Sequence, residues 1–112
     1  MKRSLPGLTR QSRALKTAIM FVYILSSQRN GTLYTGVTRN LVRRVWEHRE
    51  HVLPGFTSRY GVTMLVHFEQ FDDPTTAIQR EKNIKKWPRR WKLELIEKNN
   101  PEWRDLWIEI VR

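Results

Sequence analysis

The sequence predicts an α+β fold in which a small three-stranded antiparallel sheet is flanked by helices. Two short runs of β-branched and aromatic residues, 21–25 and 32–37, are separated by Asn30-Gly31, a dipeptide typical of hairpin turns. A third run of this kind covers 62–71, and helical patterns fill most of the remaining chain. Strands and helices in this order, without internal repeats or a linker, predict one sandwich of sheet and helices.

Capping residues and apolar spacing mark the predicted helices. Asn40 can cap the first of them, and the segment 53–61 is expected to be a loop with room for one helical turn. Asp73-Pro74 predicts a helix start, because an acidic cap is followed by proline at the first helical position. The predicted helices lie at about 41–51, 74–87, 88–98 and 100–107.

Length and charge indicate one basic domain with a basic extension. The chain has 112 residues, no cysteine and a formal net charge of +10. Residues 1–19 carry basic side chains and no acidic one, so we expect a disordered basic extension there and a single domain over 20–112. The lack of cysteine excludes disulfides and thiolate metal sites. No apolar run approaches the ~20 residues that span a bilayer, so we expect a cytoplasmic protein without a membrane partner.

A concentrated basic segment predicts a polyanionic partner. The segment 80–92, REKNIKKWPRRWK, contains seven basic side chains and one acidic one. Basic clusters of this kind are typical of proteins that bind nucleic acid, although a solvated helix face is the plainer interpretation. The candidate nucleic-acid contacts are Arg43, Lys82, Lys85, Lys86, Arg89 and Arg90.

Polar residues interrupt the apolar face of the first predicted helix. Leu41, Val45 and Val52 recur at helical spacing and predict its buried stripe. His48 falls within that stripe, and Arg44 falls at its edge, one turn before His48. Two groups that can carry positive charge therefore lie on or beside the face that points to the core.

A carboxylate interrupts the apolar face of the helix that begins at Pro74. Ala77, Ile78 and Ile84 form that face, and Glu81 lies among them. Glutamate is almost never fully buried without a partner. Glu81 should therefore pair with a cation such as Arg44, bind a metal ion, or do both in different states; an internal Arg–Glu pair without catalytic meaning is the structural alternative.

The motifs VYI (22–24) and YTG (34–36) resemble the pair that names the GIY-YIG nuclease superfamily. Arg44 and His48 follow Tyr34 at ten and fourteen residues, a spacing similar to that family's arginine and histidine. Glu81, in AIQREKNIKKW, resembles the family's helical carboxylate. The tail LIEKNNPEWRDL resembles stand-alone bacterial members, and the likeness covers roughly 20–107.

This resemblance implies a GIY-YIG-like sandwich and a metal-dependent DNA endonuclease. Glu81 would be the ligand of a single divalent metal ion, Mg²⁺ or Mn²⁺. Arg44 would hold the scissile phosphate through its planar fork of donors. Tyr23 would be the general base, with its pKa lowered by the metal site or nearby cations. Tyr34 would orient the attacking water or a phosphate oxygen, and His48 would assist proton transfer or position Tyr23.

Some positions depart from the family pattern. Val22 replaces the first glycine of the name and Thr35 replaces the second isoleucine, both within strands. Asn99 and Asn100 are both candidates for the family's late asparagine. We take Asn100 as the catalytic candidate, while a helix cap is an equally good interpretation of it.

The form of the substrate is open at this stage. The resemblance implies single- or double-stranded DNA, and some stand-alone relatives resemble single-strand-specific endonucleases. Four aromatic side chains could stack on unpaired bases, although we expect at least two of them in the core: Trp46, Phe56, Trp87 and Trp91. A catalytically inactive nucleic-acid-binding module and a structural protein with an acidic partner are the alternatives. We expect a monomer or weak dimer.

Overall fold

The sheet and helices follow the predicted order. The structure, a computed structural model, describes residues 19–112; the basic extension predicted for 1–19 lies outside this range apart from Ile19. The strands are β1 (Met20–Ser26), β2 (Leu33–Thr38) and β3 (Met64–Phe71). The helices are α1 (Leu41–Arg49), α2 (Phe56–Tyr60), α3 (Pro74–Lys86), α4 (Arg89–Asn99) and α5 (Trp107–Ile110). The predicted α+β class is confirmed.

β1 is the central strand of a three-stranded antiparallel sheet with the order β2-β1-β3. Tyr23 lies opposite Gly36 on β2, and Ile24 lies opposite His67 on β3. A register shift between Ile24 and Leu25 marks a bulge in the β1–β3 pairing. Because β1 is covered on both faces, its side chains form a continuous apolar run rather than an alternating pattern.

Two apolar clusters lie on the two faces of the sheet. On one face, Ala77 and Ile84 of α3 and Ile96 of α4 pack against Val22 and Ile24, together with Met20, Val66 and Trp103. On the other face, Leu41 and Val45 of α1 pack against Tyr23, Leu25, Val62 and Leu65. Each fully buried large side chain contributes roughly 1.5–3 kcal/mol, so both clusters hold the helices to the sheet.

Two apolar positions differ from prediction. α1 ends at Arg49 and the chain turns at His51, which has a φ of 58°. Val52 therefore leaves the helical stripe and is 54% exposed. On α3, Ala77, Glu81 and Ile84 are buried, whereas Ile78 is 39% exposed. Ile78 lies ~100° around the helix from Ala77, outside the inward face.

The last predicted helix is wrong in position. Residues 101–102 form a turn, and the short helix α5 begins only at Trp107. Asn100 does not cap a following helix: its side chain binds both the backbone N–H and the carbonyl of Arg104, at 3.0 and 2.9 Å. Trp103 takes a φ of 56° and donates its indole N–H to Glu97 at 2.8 Å. These contacts hold a turn where the sequence pattern predicted a helix.

Candidate active site

The side chain of Tyr23 on β1 lies against the glycine of the YTG motif, Gly36 on β2. A Cβ atom added to Gly36 would come within 2.5 Å of both Cζ and the hydroxyl oxygen of Tyr23. The two residues are direct partners in the β1–β2 register. Gly36 is thus required by the close approach of the tyrosine ring, one of the two interpretations that a glycine inside a strand allows.

The Tyr23 hydroxyl begins a chain of buried hydrogen bonds. Its oxygen lies 3.0 Å from His48 Nε2, and His48 Nδ1 lies 2.9 Å from Thr57 Oγ1. His48 and Thr57 are each 4% exposed. α1 supplies His48 from its apolar stripe, as predicted, and α2 supplies Thr57, a residue that the sequence analysis missed because a threonine in a short loop carries no periodic signal.

The protonation states along this chain follow from burial and from Arg44. Burial, then the positive charge of Arg44, lowers the pKa of His48, so the imidazole is neutral near pH 7. Burial and the neighbouring Tyr34 raise the pKa of Tyr23, and this outweighs the opposite effect of Arg44. A protonated Tyr23 that donates to Nε2 leaves the imidazole proton on Nδ1, where it can be donated to Thr57.

The resemblance implies a Tyr23 pKa lowered by metal-bound water or by nearby cations. The charge of Arg44 is not sufficient for this, because Tyr23 is only 1% exposed and burial raises its pKa. Burial disfavours the phenolate more than the guanidinium favours it. Tyr23 can therefore act on a proton only if its own proton has a neighbouring acceptor, and His48 Nε2 is that acceptor.

Arg44 lies beside this chain of hydrogen bonds. It does not form the ion pair with Glu81 that the sequence pattern suggested. Its Nε lies 3.1 Å from Glu47 Oε1, and Glu47 also holds Arg43 at 3.3 Å. The Arg44 side chain remains 42% exposed. Glu47 was not among the predicted site residues, although its spacing of three and four residues from the arginines is a helical pairing signal. It positions Arg44 and leaves one side of the guanidinium free.

Glu81 lies on the inward face of α3 with its side chain 11% exposed. Its partner is Lys85, whose Nζ lies 2.6 Å from Glu81 Oε2. The negative charge of Glu81 contributes to the raised pKa of Tyr23, so the carboxylate acts on the same hydroxyl as Arg44. The pattern break in the α3 sequence thus corresponds to a buried carboxylate.

The donor set fits a hard divalent cation. Among residues 19–112, no three histidine, aspartate or glutamate side chains cluster as metal ligands, so Glu81 does not belong to a closed set of protein ligands. Mg²⁺ commonly binds through one or two carboxylates together with water and substrate phosphates, whereas structural zinc needs a closed set of protein ligands. The exposed Lys85 side chain can turn away from Glu81, which makes the carboxylate available.

Two recesses meet at Arg44. One, with a volume of about 270 Å³, is lined by Tyr34, Arg44, His48, Leu53, Pro54, Phe56 and Thr57. The other, of about 490 Å³, is lined by Met20, Val37, Thr38, Arg39, Asn40, Arg43, Arg44 and Glu47. Arg44 is the residue that lines both of these recesses.

The predicted nucleic-acid contacts have different surroundings. Lys82 and Lys86 are exposed, and within the described part of the chain neither has an acidic partner within 4.0 Å. Arg43, Lys85 and Arg90 each pair with a glutamate. Arg89 donates to the carbonyls of residues 30 and 31, at 2.8 Å each, and so supports the β1–β2 turn.

Asn100 is not brought to the site. It is 3% exposed, and its amide donates to the Val66 carbonyl on β3 at 3.2 Å. β3 is the edge strand opposite to β2, where Tyr23 meets Gly36. With its amide and carbonyl also holding Arg104, the Asn100 side chain is engaged in the fold.

The four tryptophan and phenylalanine candidates for base stacking are mostly outside the core. Trp46, Phe56 and Trp91 are 47%, 46% and 46% exposed, and Trp87 alone of the four packs against an apolar cluster. The expectation that at least two would be core residues was wrong. Phe56 lies in the recess beside His48, whereas Trp91 contacts Trp87 edge-on.

The fold and this constellation define a class of nuclease domain. The family model of the GIY-YIG catalytic domain matches residues 19–94, and the chain belongs to the GIY-YIG family. Members of this family are nucleases that act on DNA with a divalent metal ion. None of the helices between residues 19 and 112 has the length and apolar character needed to cross a bilayer.

Within the family, the chain is similar to proteins named UPF0213. One, from Natronomonas pharaonis, is 42% identical over 76 residues, which cover 68% of this chain and 88% of the relative. Another, from Syntrophus aciditrophicus, is 41% identical and is covered to 93% of its length. The solution NMR structure of a UPF0213 protein from Bacillus halodurans aligns with a TM-score of 0.50 and 28% identity, over 78% of this chain and 92% of that one.

Proposed function

We propose that this protein is a metal-dependent DNA endonuclease that hydrolyses phosphodiester bonds. The observation that carries the proposal is the surroundings of the Tyr23 hydroxyl. This hydroxyl is hydrogen-bonded to a neutral His48, and the charges of Arg44 and Glu81 both affect its pKa. A proton acceptor, a cation for the phosphate and a carboxylate for a metal ion are the groups that this hydrolysis requires.

Tyr23 and His48 would act together on the attacking water. The water proton moves to the Tyr23 oxygen while the Tyr23 proton moves to His48 Nε2, so that no buried tyrosinate forms. The water oxygen forms a new P–O bond as the P–O bond to a deoxyribose oxygen breaks, and this oxygen leaves with the bonding electron pair and takes up a proton from solvent. Thr57 would support this route by accepting a hydrogen bond from the Nδ1–H group of His48, which keeps Nε2 free to accept the proton of Tyr23.

Arg44 would stabilise the negative charge that builds on the phosphate. Its guanidinium borders both recesses and is fixed from one side by Glu47. A planar fork can bind two phosphate oxygens at once, which a lysine cannot do. Tyr34, whose ring centroid lies 5.3 Å from that of His48, would orient the water or a phosphate oxygen.

Glu81 would hold one Mg²⁺ or Mn²⁺ ion. Such an ion, when bound, polarises the phosphate and lowers the pKa of coordinated water. The contribution of this chain is a carboxylate held at the inward face of α3 between Ala77 and Ile84. Asn100 has no part in this proposal, because its side chain is engaged on β3.

The proposal includes DNA contacts through Arg43 and the exposed basic residues of α3 and α4, and a preference for single-stranded DNA. Phosphate contacts from these side chains position a strand without reading its sequence. We also propose that the protein is a monomer or weak dimer, since one chain supplies every side chain named in the site, and that it acts in the cytoplasm.

One observation favours the alternative, an inactive nucleic-acid-binding module. The two charged groups of the proposed mechanism each have an internal partner, since Glu81 pairs with Lys85 and Arg44 pairs with Glu47. In an inactive protein these pairs would stay closed when DNA binds, whereas in an active enzyme the metal ion and the phosphate replace them.

One experiment separates the two functions. Labelled single-stranded and duplex DNA of the same sequence are incubated with the protein in Mg²⁺, Mn²⁺ or EDTA, with Glu81→Gln as the matched variant. We expect cleavage with either metal ion, faster on the single strand, and none in EDTA or with Glu81→Gln. Binding without cleavage under all conditions would establish the inactive module.

A further inference from the structure

The helix α2 presents aromatic rings beside the proposed active site. Gly55 and Gly61 flank it with φ values of 115° and 63°, conformations that favour glycine and fix where this single turn begins and ends. Thr57 points inward to His48, while Phe56 and Tyr60, four residues apart, point outward. The catalytic hydrogen-bond chain and these rings are therefore held by one rigid turn.

Three rings form an aromatic shelf, which we define as Tyr34, Phe56 and Tyr60. Phe56 lies 6.4 Å from Tyr34 with an angle of 28° between the ring planes, and 4.8 Å from Tyr60. Phe56 and Tyr60 are 46% and 52% exposed, although neither ring is needed to fill either apolar core. Exposed aromatic groups that cluster in this way are typical of binding surfaces.

The recess in front of the shelf has room for one base. Its volume of about 270 Å³ corresponds to roughly nine waters at ~30 Å³ each, enough for one planar nucleobase. Leu53 and Pro54 line it with apolar surface, and Arg44 borders it with positive charge. A flat apolar group linked to a phosphate complements this lining, and a nucleotide carries both.

We infer that the recess is a stacking site for one unpaired nucleobase adjacent to the phosphate held by Arg44, with Phe56 as its main platform. The inference rests on the proposed function, because that function places the phosphate at Arg44. A base inside a duplex is stacked on both sides and cannot present its face to Phe56. The shelf would therefore supply the preference for single-stranded DNA, without reading sequence, since every base has a π face.

The test measures stacking separately from cleavage. The fluorescent base 2-aminopurine is placed at successive positions of a single-stranded oligonucleotide, and binding is followed in EDTA, where no bond is cut. We expect quenching to be strongest at one position and to be lost in Phe56→Ala and Phe56→Leu but kept in Phe56→Tyr. Loss of the ring should weaken binding by about 5- to 150-fold.

Two controls exclude a general effect on folding or charge. An oligonucleotide with an abasic site at the quenched position should bind wild type and Phe56→Ala equally. Ile108→Ala, which removes an apolar side chain that is 63% exposed on α5, should leave quenching unchanged. Quenching is also measured with the same strand in a duplex. We expect none there, and quenching in the duplex would mean that the protein flips the base out of the helix.

The outcomes for stacking and for cleavage can be told apart. Quenching that depends on Phe56, in a protein that cuts no DNA, would support the stacking site while the nuclease proposal fails. Metal-dependent cleavage with quenching that Phe56→Ala leaves unchanged, or an equal loss of affinity on the abasic strand, would overturn the stacking site alone.

Discussion

His48 and His67 are equally buried, at 4% and 5% exposed, but they lie on opposite sides of the sheet in different electrostatic surroundings. His67 Nε2 lies 2.8 Å from Glu69, and Arg80 binds the same carboxylate through two contacts of 2.9 Å. His48 is instead bonded to two hydroxyl groups, those of Tyr23 and Thr57. His67 thus belongs to a closed cluster of charged groups, whereas His48 belongs to a chain of neutral hydrogen-bonding groups.

The closed cluster shows what a structural polar site looks like in this protein. Burial of Glu69 would raise its pKa, but hydrogen bonds from His67 and Arg80 outweigh burial and lower it to about 2. The Arg80 guanidinium also lies 5.1 Å from the Trp87 ring centroid, so its outer face is covered. The hydrogen bonds of Glu69 therefore go to side chains of the same cluster, while His67 also lines a recess of about 260 Å³ with Asn100 and Arg104.

The His48 site differs in its partners: His48 is bonded to two hydroxyl groups and lines a recess together with Arg44. Arg44 is paired with Glu47 and lies near the Tyr23 hydroxyl, and the pKa of this hydroxyl is affected by charges of both signs. The comparison therefore indicates that an open charge arrangement, rather than burial of a histidine as such, distinguishes the candidate active site.

Glu81→Ala should abolish cleavage and leave DNA binding largely intact. The carboxylate is the proposed metal ligand, and metal stabilisation is worth several kcal/mol, or on the order of 10³-fold or more in rate. Cleavage of labelled DNA and binding by fluorescence anisotropy would be compared. Glu94→Ala, which removes a carboxylate that is 70% exposed on α4, is the matched control. Metal-dependent cleavage at the parent rate would remove Glu81 from the mechanism.

Arg44→Lys should be nearly as damaging as Arg44→Ala. Lysine keeps the charge but loses the planar fork, and a single such stabilising donor is typically worth on the order of 10²–10³ in rate. Single-turnover rates of both variants test this, with Arg104→Lys as a control outside the recesses. A lysine variant that cuts at the parent rate would show that charge alone is sufficient.

Glu69→Gln should destabilise the fold without changing the chemistry. The pKa of about 2 corresponds to ~3 kcal/mol of charge-dependent stabilisation, which the amide loses. The free energy of unfolding in urea would report this loss, and the cleavage rate per folded molecule should match wild type. A large fall in that rate with an unchanged unfolding midpoint would mean that the closed cluster has a catalytic role.

The same carboxylate predicts how stability depends on pH. Because folding lowers the Glu69 pKa, its contribution is fully present above the ordinary value of 4.5 and is lost as the pH falls towards 2. Wild type should therefore lose stability over this range more steeply than Glu69→Gln. Thermal unfolding midpoints at a series of pH values measure the difference; parallel curves would contradict the assignment.

Thr57→Val should have the smallest effect, a reduction in cleavage of about tenfold. Valine keeps the shape but leaves His48 Nδ1 without its partner, and an unsatisfied buried donor costs ~1–3 kcal/mol. Thr57→Ser should restore the rate, because it restores the hydroxyl. Nitrogen NMR of the His48 ring would show whether its tautomer changes with the rate. An unchanged rate and tautomer would exclude Thr57 from the proton route.

Much of the fold was predictable because its signals are local. The Asn30-Gly31 turn, the Asn40 cap and the Asp73-Pro74 helix start each act within a few residues. The position of α5 was not predictable, because it depends on contacts of Asn100 with Val66 on β3, 34 residues away. Long-range hydrogen bonds of this kind leave no periodic mark in the sequence.

The site was predictable to the level of its residues but not of its pairings. Spacing placed Arg44, His48 and Glu81 on inward or edge positions, as the structure shows. The partners of Arg44 and Glu81 were not predicted, because the sequence pattern suggested an ion pair between these two residues on different helices. In the structure each pairs within its own helix, Arg44 with Glu47 and Glu81 with Lys85. The raised pKa of Tyr23 depends on burial that only the packed structure reveals.

The most direct test compares two carboxylates in one assay, the buried Glu81 and the half-buried Glu69. Single-turnover cleavage of a labelled single-stranded oligonucleotide in Mn²⁺ would be measured for wild type, Glu81→Gln and Glu69→Gln, with folding of each verified by circular dichroism. We predict wild-type rates per folded molecule for Glu69→Gln and a loss on the order of 10³-fold for Glu81→Gln. Equal rates in the two variants, or a greater loss in Glu69→Gln, would contradict the assignment of Glu81 to the active site.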